Sequence, residues 1–222
     1  MEKQGSEITI IPESKFFYIL SRIVFGFMFL LQLIVYPLLF SFRVKGRSNL
    51  KGIRNAVFIS NHCHYLDPGF VAAAVWPNKV FFTGMENSYK NPGFSLLIRL
   101  LRSLPIPEKT PGKIIRPIGK LLHRPSPYSV HFFPEGVMLN GTQTLREFKT
   151  GAFSVSHFFT IPIIPIVEIQ VKRKFFPSKI IMHIEKPFYV SSFDEYNSKK
   201  EKCEASANYA FSVMEKKLNL YR

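Results

Sequence analysis

The chain has 222 residues with 30 Lys+Arg against 15 Asp+Glu, a formal charge of +15 at pH 7; it is 46% hydrophobic, with 23 Phe and 20% charged residues. That length suits one sizeable domain with its own core and excludes two large ones. The apolar content excludes a disordered chain, and so much Phe separates it from ordinary soluble basic proteins, so no nucleic-acid partner is expected. The two cysteines, Cys63 and Cys203, form neither a disulfide framework nor a paired thiolate zinc site, which fits a reducing, cytoplasmic setting.

Residues 23–42 read IVFGFMFLLQLIVYPLLFSF, without a formal charge and interrupted only by Gln32 and Pro37. A helix of about 20 apolar residues crosses a bilayer core. The preceding Glu2, Glu7 and Glu13, the length of the run and the lack of a small-residue cleavage site argue against a signal peptide. A retained membrane anchor is expected, with a buried core helix as the alternative. Hydropathy leaves open whether the segment spans, bends at Pro37 or lies as a two-helix hairpin in one leaflet. No acidic residue falls between Ser14 and Leu66, while Arg43, Lys45, Arg47, Lys51 and Arg54 follow the apolar run. This asymmetry predicts that everything after residue 42 lies at the cytoplasmic face of the inner or plasma membrane, drawn to anionic membrane lipids. The expected division is a tail and hydrophobic anchor over 1–42 and an α/β domain over 43–222.

Beyond residue 50 short apolar runs alternate with helical stretches. Strands are predicted at 56–60, 79–83, 128–133, 160–171 and 179–185, rich in Val, Ile and Phe, the last two as a hairpin around KRKFFPS. Helices are predicted near 68–76, 92–102, 113–123 and 151–158. A last amphipathic helix starts at Ser198, where Ser198 and Glu201 form a capping box and Ala207, Phe211, Met214 and Leu218 share a face. The alternation predicts an α/β fold, a mostly parallel sheet flanked by helices, preceded by the N-terminal hydrophobic membrane-anchoring helical element.

Chemistry-bearing residues cluster where predicted strands end. After the first comes Asn61-His62-Cys63-His64-Tyr65-Leu66-Asp67-Pro68. A turn there can return the Asp67 carboxylate to the His62 imidazole, and a His so held is a general base for a hydroxyl proton. Asp67-Pro68 equally fits a helix start, with Asp as cap and Pro in the first turn. His62-x-His64 also suggests a binuclear metal pattern, but that would need Asp at position 66 and His at position 67, where Leu66 and Asp67 stand.

A second group, Phe133-Pro134-Glu135-Gly136, ends another strand and offers a carboxylate beside a glycine, which suits a polar substrate or an ordinary turn. A third, Phe148-Lys149-Thr150-Gly151-Ala152-Phe153, opens a helix whose N-terminus can receive an anion, with Lys149 otherwise a solvated helix-start lysine.

Together these segments resemble the glycerolipid acyltransferase family that includes 1-acylglycerol-3-phosphate O-acyltransferases. Asn61-His62-x4-Asp67 resembles its first block, Phe133-Pro134-Glu135-Gly136 its third, Phe148-Lys149-x-Gly151-Ala152-Phe153 the segment after it, and Ile161-Pro162-x2-Pro165 its fourth. The resemblance covers roughly residues 43–190. It implies a glycerolipid acyltransferase-like α/β domain moving a fatty acyl group from acyl-CoA or acyl carrier protein to a lysolipid acceptor, without metal or organic cofactor. It further implies His62 as base, Asp67 as its orienting partner, and Asn61, Glu135 and Gly136 among the substrate-binding residues.

Two positions depart from the pattern. Val137 and Met138 follow Gly136 where the family commonly has Thr-Arg, and Pro107-Glu108 stands in the second block near a usual Arg. Replacement cations are available in Arg146 and Lys149, and in Lys109, Lys113, Arg116 and Lys120, the last three expected on one helical face. Phospholipid biosynthesis with a 1-acylglycerol-3-phosphate acceptor is the first expectation. Another lysolipid, an amino-acid-derived lipid, or a catalytically silent membrane-binding module are the alternatives.

Overall fold

The structure, a computed structural model, describes residues 14–139 and 142–221. Its centre is a seven-stranded sheet in the order β1-β7-β6-β2-β5-β3-β4. The strands are β1 (Arg43–Lys45), β2 (Val57–Ser60), β3 (Val80–Met85), β4 (Ser103–Ile106), β5 (Ser129–Phe132), β6 (Ile163–Val171) and β7 (Lys179–Ile184). Five of the six pairings are parallel; β6 and β7 form the expected antiparallel pair.

Side chains alternate across the sheet as the pleat dictates. Val57, Ile59, Val130, Phe132, Ile163, Val167 and Ile169 face one core with helices α4 (Ile115–Leu122), α5 (Gly151–Phe159) and α6 (Lys199–Asn219). Phe58, Val80, Phe82, Ile164, Ile166 and Met182 face the other, with α1 (Lys15–Phe40) and α2 (Asp67–Val75). Both faces are therefore covered, which explains why β2 and β5 are buried at every position. The capping box at Ser198 and Glu201 forms as expected and starts α6.

Two strands escape the sequence pattern. β1 reads Arg-Val-Lys, with one apolar residue among charges, and β4 contains Pro105. Both lie at sheet edges, where charges guard against unwanted pairing and a missing N–H is tolerated. Two of the cations that follow the apolar run are engaged here: Arg47 donates to the Ala73 carbonyl near the end of α2, and Lys45 donates to the Tyr221 hydroxyl.

The N-terminal apolar segment is one continuous helix of 26 residues, about 39 Å long, beginning eight positions before the apolar run and containing Pro37 in its last turn. It lies along the domain rather than projecting from it. Ser21 Oγ donates to the Leu100 carbonyl of α3 (Pro92–Leu100), Phe25 sits under the Arg102 guanidinium, and Tyr36 and Phe40 pack on Phe70 of α2. The opposite face, with Ile23, Phe27, Leu30, Ile34 and Leu38, is exposed, and only 11% of the most apolar window is buried.

Candidate active site

β2 and β5 are adjacent and parallel, so the segments leaving their carboxyl ends meet at one edge. His62 Nδ1 lies 2.7 Å from Asp67 Oδ2, and the same oxygen accepts the N–H of Cys63 at 2.8 Å and of His64 at 3.0 Å. Asp67 is the first residue of α2, yet its carboxylate turns back into the preceding loop instead of capping its own helix, and no side chain caps α2. Asp67 is fully buried and the His62 side chain is 21% exposed. A carboxylate with three N–H donors is held as an acceptor, which fixes the proton of a neutral His62 on Nδ1 and leaves Nε2 as the basic atom.

The His62 ring is clamped by Phe133, stacked at 3.8 Å with an interplanar angle of 16°. Its backbone is braced by the β5 turn: His62 N–H donates to Glu135 Oε1 at 3.2 Å and its carbonyl accepts from Leu139 N at 2.8 Å. Glu135 Oε2 takes the N–H of Arg146 at 3.0 Å, so one buried carboxylate ties three chain segments together. Burial pushes the Glu135 carboxyl above its ordinary range, against the pull of those two N–H donors.

Gly136 adopts φ +69, and a side chain there would meet Lys149 Nζ at 2.6 Å. The left-handed φ favours glycine here, and the missing side chain leaves room for the lysine to lie over this turn. Lys149 and Arg146 both reach the surface beside it, and Lys149 N–H donates to the Pro134 carbonyl at 2.9 Å. The loop and turn thus bring together His62, Asp67, Glu135, Gly136, Arg146 and Lys149. Asn61 is buried, and its amide completes the sheet, donating to the Glu168 carbonyl at 3.0 Å and accepting from Glu168 N at 2.8 Å. Of the other cations, Lys113 lies in the 3-10 turn Pro111–Ile114 that runs directly into the helix carrying Arg116 and Lys120, and all three are exposed.

Two site neighbours were not singled out from sequence. His131 is fully buried beneath Phe133, with Nε2 2.9 Å from Ser60 Oγ; burial first, then proximity to His62, lowers its pKa to about 3, so it stays neutral. Glu168, midway along β6, is fully buried behind Asp67 and Cys63; a charged residue inside the run Ile163–Val171 was its only sequence signal. Cys63, Asp67 and Glu168 each offer an atom within 4.8 Å of the others, the one such grouping among the described residues with metal-ligand spacing. Burial above all raises the Cys63 thiol pKa, so Cys63 stands there as a thiol donating toward Glu168 Oε1.

A histidine held by a buried carboxylate at the carboxyl edge of an α/β sheet has the geometry that general-base chemistry in a transferase or hydrolase requires. The Acyltransferase family model matches residues 41–168, more than half of the chain, so the chain belongs to the Acyltransferase family and is an acyl-transferring enzyme. The fold is similar to the crystal structure of the 1-acyl-sn-glycerophosphate (LPA) acyltransferase PlsC from Thermotoga maritima, with a TM-score of 0.61 and 18% identity over 92% of each chain. A comparison with curated protein sequences finds no match.

Proposed function

We propose that this acyltransferase moves a fatty acyl group from acyl-CoA or acyl carrier protein to the hydroxyl of a lysophospholipid, with 1-acylglycerol-3-phosphate as its acceptor, in phospholipid biosynthesis at the cytoplasmic face of a membrane. The observation that carries the reading is the His62–Asp67 bond, in a loop that resembles the family's first block and lies within the residues the family model matches. His62 Nε2 takes the proton of the acceptor hydroxyl as its oxygen attacks the thioester carbonyl, forming the C–O bond. The tetrahedral intermediate then collapses, the C–S bond breaks, and the imidazolium returns the proton to the departing thiolate. The attacking oxygen belongs to the substrate, so no protein nucleophile is required. Asp67 holds the tautomer and steadies the imidazolium, Asn61 and Glu135 position the loop, and Gly136, Arg146 and Lys149 form the acceptor side.

Membrane seating is supported by two features at one end of the molecule. The exposed face of α1 is apolar along its length, and its C-terminal turn reaches the site, where Phe40 packs on the His64 ring. Beside it the β6–β7 turn presents Phe175 and Phe176, 82% and 67% exposed, among Lys172, Arg173, Lys174 and Lys179, and Arg173 bonds the Leu39 carbonyl and Ser41 Oγ. A helix docked along the domain inserts sideways into one leaflet, with the basic turn at the headgroups. On this reading residues 1–42 supply the anchor and residues 43–222 the catalytic domain.

A second acceptor class is favoured by one observation: Val137 and Met138 occupy the positions after Gly136, so no arginine is supplied there for a phosphomonoester. Incubating the detergent-solubilised chain with labelled acyl-CoA or acyl carrier protein and a panel of lysolipids tests both. Preference for lysophosphatidate supports the proposal; preference for a zwitterionic, neutral or amino-acid-derived acceptor replaces it, and no transfer to any of them refutes it.

A further inference from the structure

Two buried carboxylate oxygens of the site, Asp67 Oδ1 and Glu168 Oε2, have no hydrogen-bond partner among the described residues. Both residues are fully buried, and the cluster they form with Cys63 is closed within 4.8 Å. Their registration is built by the sheet. Ser60 and Ile166 form the last pair of the β2–β6 ladder, and just beyond it the Asn61 amide clips the Glu168 backbone on both sides. Glu168 Oε1 accepts from Gln170 Nε2 at 3.0 Å and from the Cys63 thiol at 3.5 Å, which turns Oε2 to the remaining side.

Two ionised carboxylates sealed together, each with an orphan oxygen, are unfavourable, whereas one proton makes them donor and acceptor. Asp67 is the better anion, since its Oδ2 accepts three N–H bonds, while Glu168 is supported by a neutral amide and a weak thiol donor. We infer that Glu168 is a positioning residue, a neutral carboxylic acid whose Oε2–H donates to Asp67 Oδ1 and completes a chain from Glu168 through Asp67 to His62. Burial first, then Asp67, push the Glu168 carboxyl well above the ordinary carboxylate range, which agrees with this geometry. The ionisable groups facing it are Asp67 at the start of α2, Cys63 in the loop and Tyr36 of α1, with His62 beyond Asp67 and Glu135 across the loop.

The bond does two things. It fixes the carboxylate plane so that Oδ2 points at His62 Nδ1, and it draws negative charge toward Oδ1, which limits how strongly Asp67 raises the basicity of the imidazole. Its kinetic consequence rests on the His62 mechanism proposed above; the protonation state of Glu168 does not.

The decisive comparison is between Glu168→Gln, which keeps a neutral donor, and Glu168→Leu, which removes it. The infrared difference spectrum of wild type minus Glu168→Gln at pH 8, recorded on the full chain in detergent without substrate, is expected to contain the carbonyl stretch of a protonated carboxyl. A carboxylate signature in its place overturns the inference, whatever the protein acylates. In the acyl-transfer assay Glu168→Leu is expected to lose about 10- to 100-fold in kcat with its acid limb moved to higher pH, and Glu168→Gln to recover most of that loss with the acid limb of wild type. An acid limb moved to lower pH in Glu168→Gln would mean that an ionised Glu168 had been neutralised and would overturn the inference. A stoichiometric divalent cation in purified wild type, lost in Glu168→Gln, would overturn it in favour of a metal site. If Glu168→Leu does not fold, the spectrum and the Gln profile decide.

Discussion

Asp67 Oδ2 sits 2.7 Å from His62 Nδ1 while accepting two further backbone N–H groups from the loop between them, so the six residues from His62 to Asp67 close into one hydrogen-bonded turn. A helix-capping aspartate would aim at the N–H groups ahead of it; this one aims behind. The difference separates a residue that starts α2 from one that orients a base.

Asp67→Asn is expected to fold, because the amide oxygen can still accept from Cys63, His64 and the imidazole. It loses the charge that stabilises imidazolium, and kcat should fall on the order of 10³-fold. Parallel urea unfolding and turnover measurements check this. A variant with lower stability and undiminished kcat would leave Asp67 as a structural residue.

Burial of neutral His131 makes stability sensitive to acid. Between pH 6.5 and about 3 the unfolded chain takes up a proton at this position that the folded chain refuses, so folding weakens as pH falls through that window. Glu135 and Glu168, whose pKa values are raised, act in the opposite sense, so the comparison needs a reference that shares them. The stability difference between wild type and His131→Gln should narrow by about 1.4 kcal/mol for each pH unit well below 6.5. A difference that is constant from pH 7.5 to pH 5 would show that His131 takes up its proton in the folded state as it does in the unfolded chain, and so is open to water.

Lys149 lies against Gly136 and Arg146 is tied through its backbone to Glu135, which makes them the cations nearest the proposed acceptor side. With a phosphomonoester acceptor, Lys149→Ala and Arg146→Ala should raise the acceptor KM about 10-fold or more, with kcat and donor KM little changed, the pattern of lost ground-state binding. Equal losses toward charged and neutral lysolipids would make Lys149 a structural lysine.

The exposed face of α1 and the Phe175–Phe176 turn should act as one membrane surface. High salt is expected to leave wild type bound to anionic vesicles, because apolar insertion is not screened, while Phe175→Ser with Phe176→Ser lowers vesicle affinity about 10-fold or more. Complete release by salt alone would reduce the contact to an electrostatic one.

Periodic features were readable in advance because they follow from burial on a two-sided sheet. The five apolar strands, the hairpin and the capped α6 lie within a few residues of their predicted places. The pairing of His62 with Asp67 was legible because a tight turn brings the two residues together. β1 and β4 were not, since an edge strand is free to carry the charges or proline that disguise it. Glu168, and the contact that Asn61 makes with it, were hidden for another reason. Their contact runs between β2 and β6, more than 100 residues apart, and only sheet registration makes it.

The central claim is that His62 is the base in acyl transfer. The most direct measurement is thioester-dependent acylation of lysophosphatidate by purified wild type and His62→Ala, following diacyl product and released thiol together in the same detergent. Equal amounts of product and thiol from wild type, and a loss of about 10³-fold or more in a folded His62→Ala protein, are predicted. Turnover by His62→Ala within a few-fold of wild type would contradict the account.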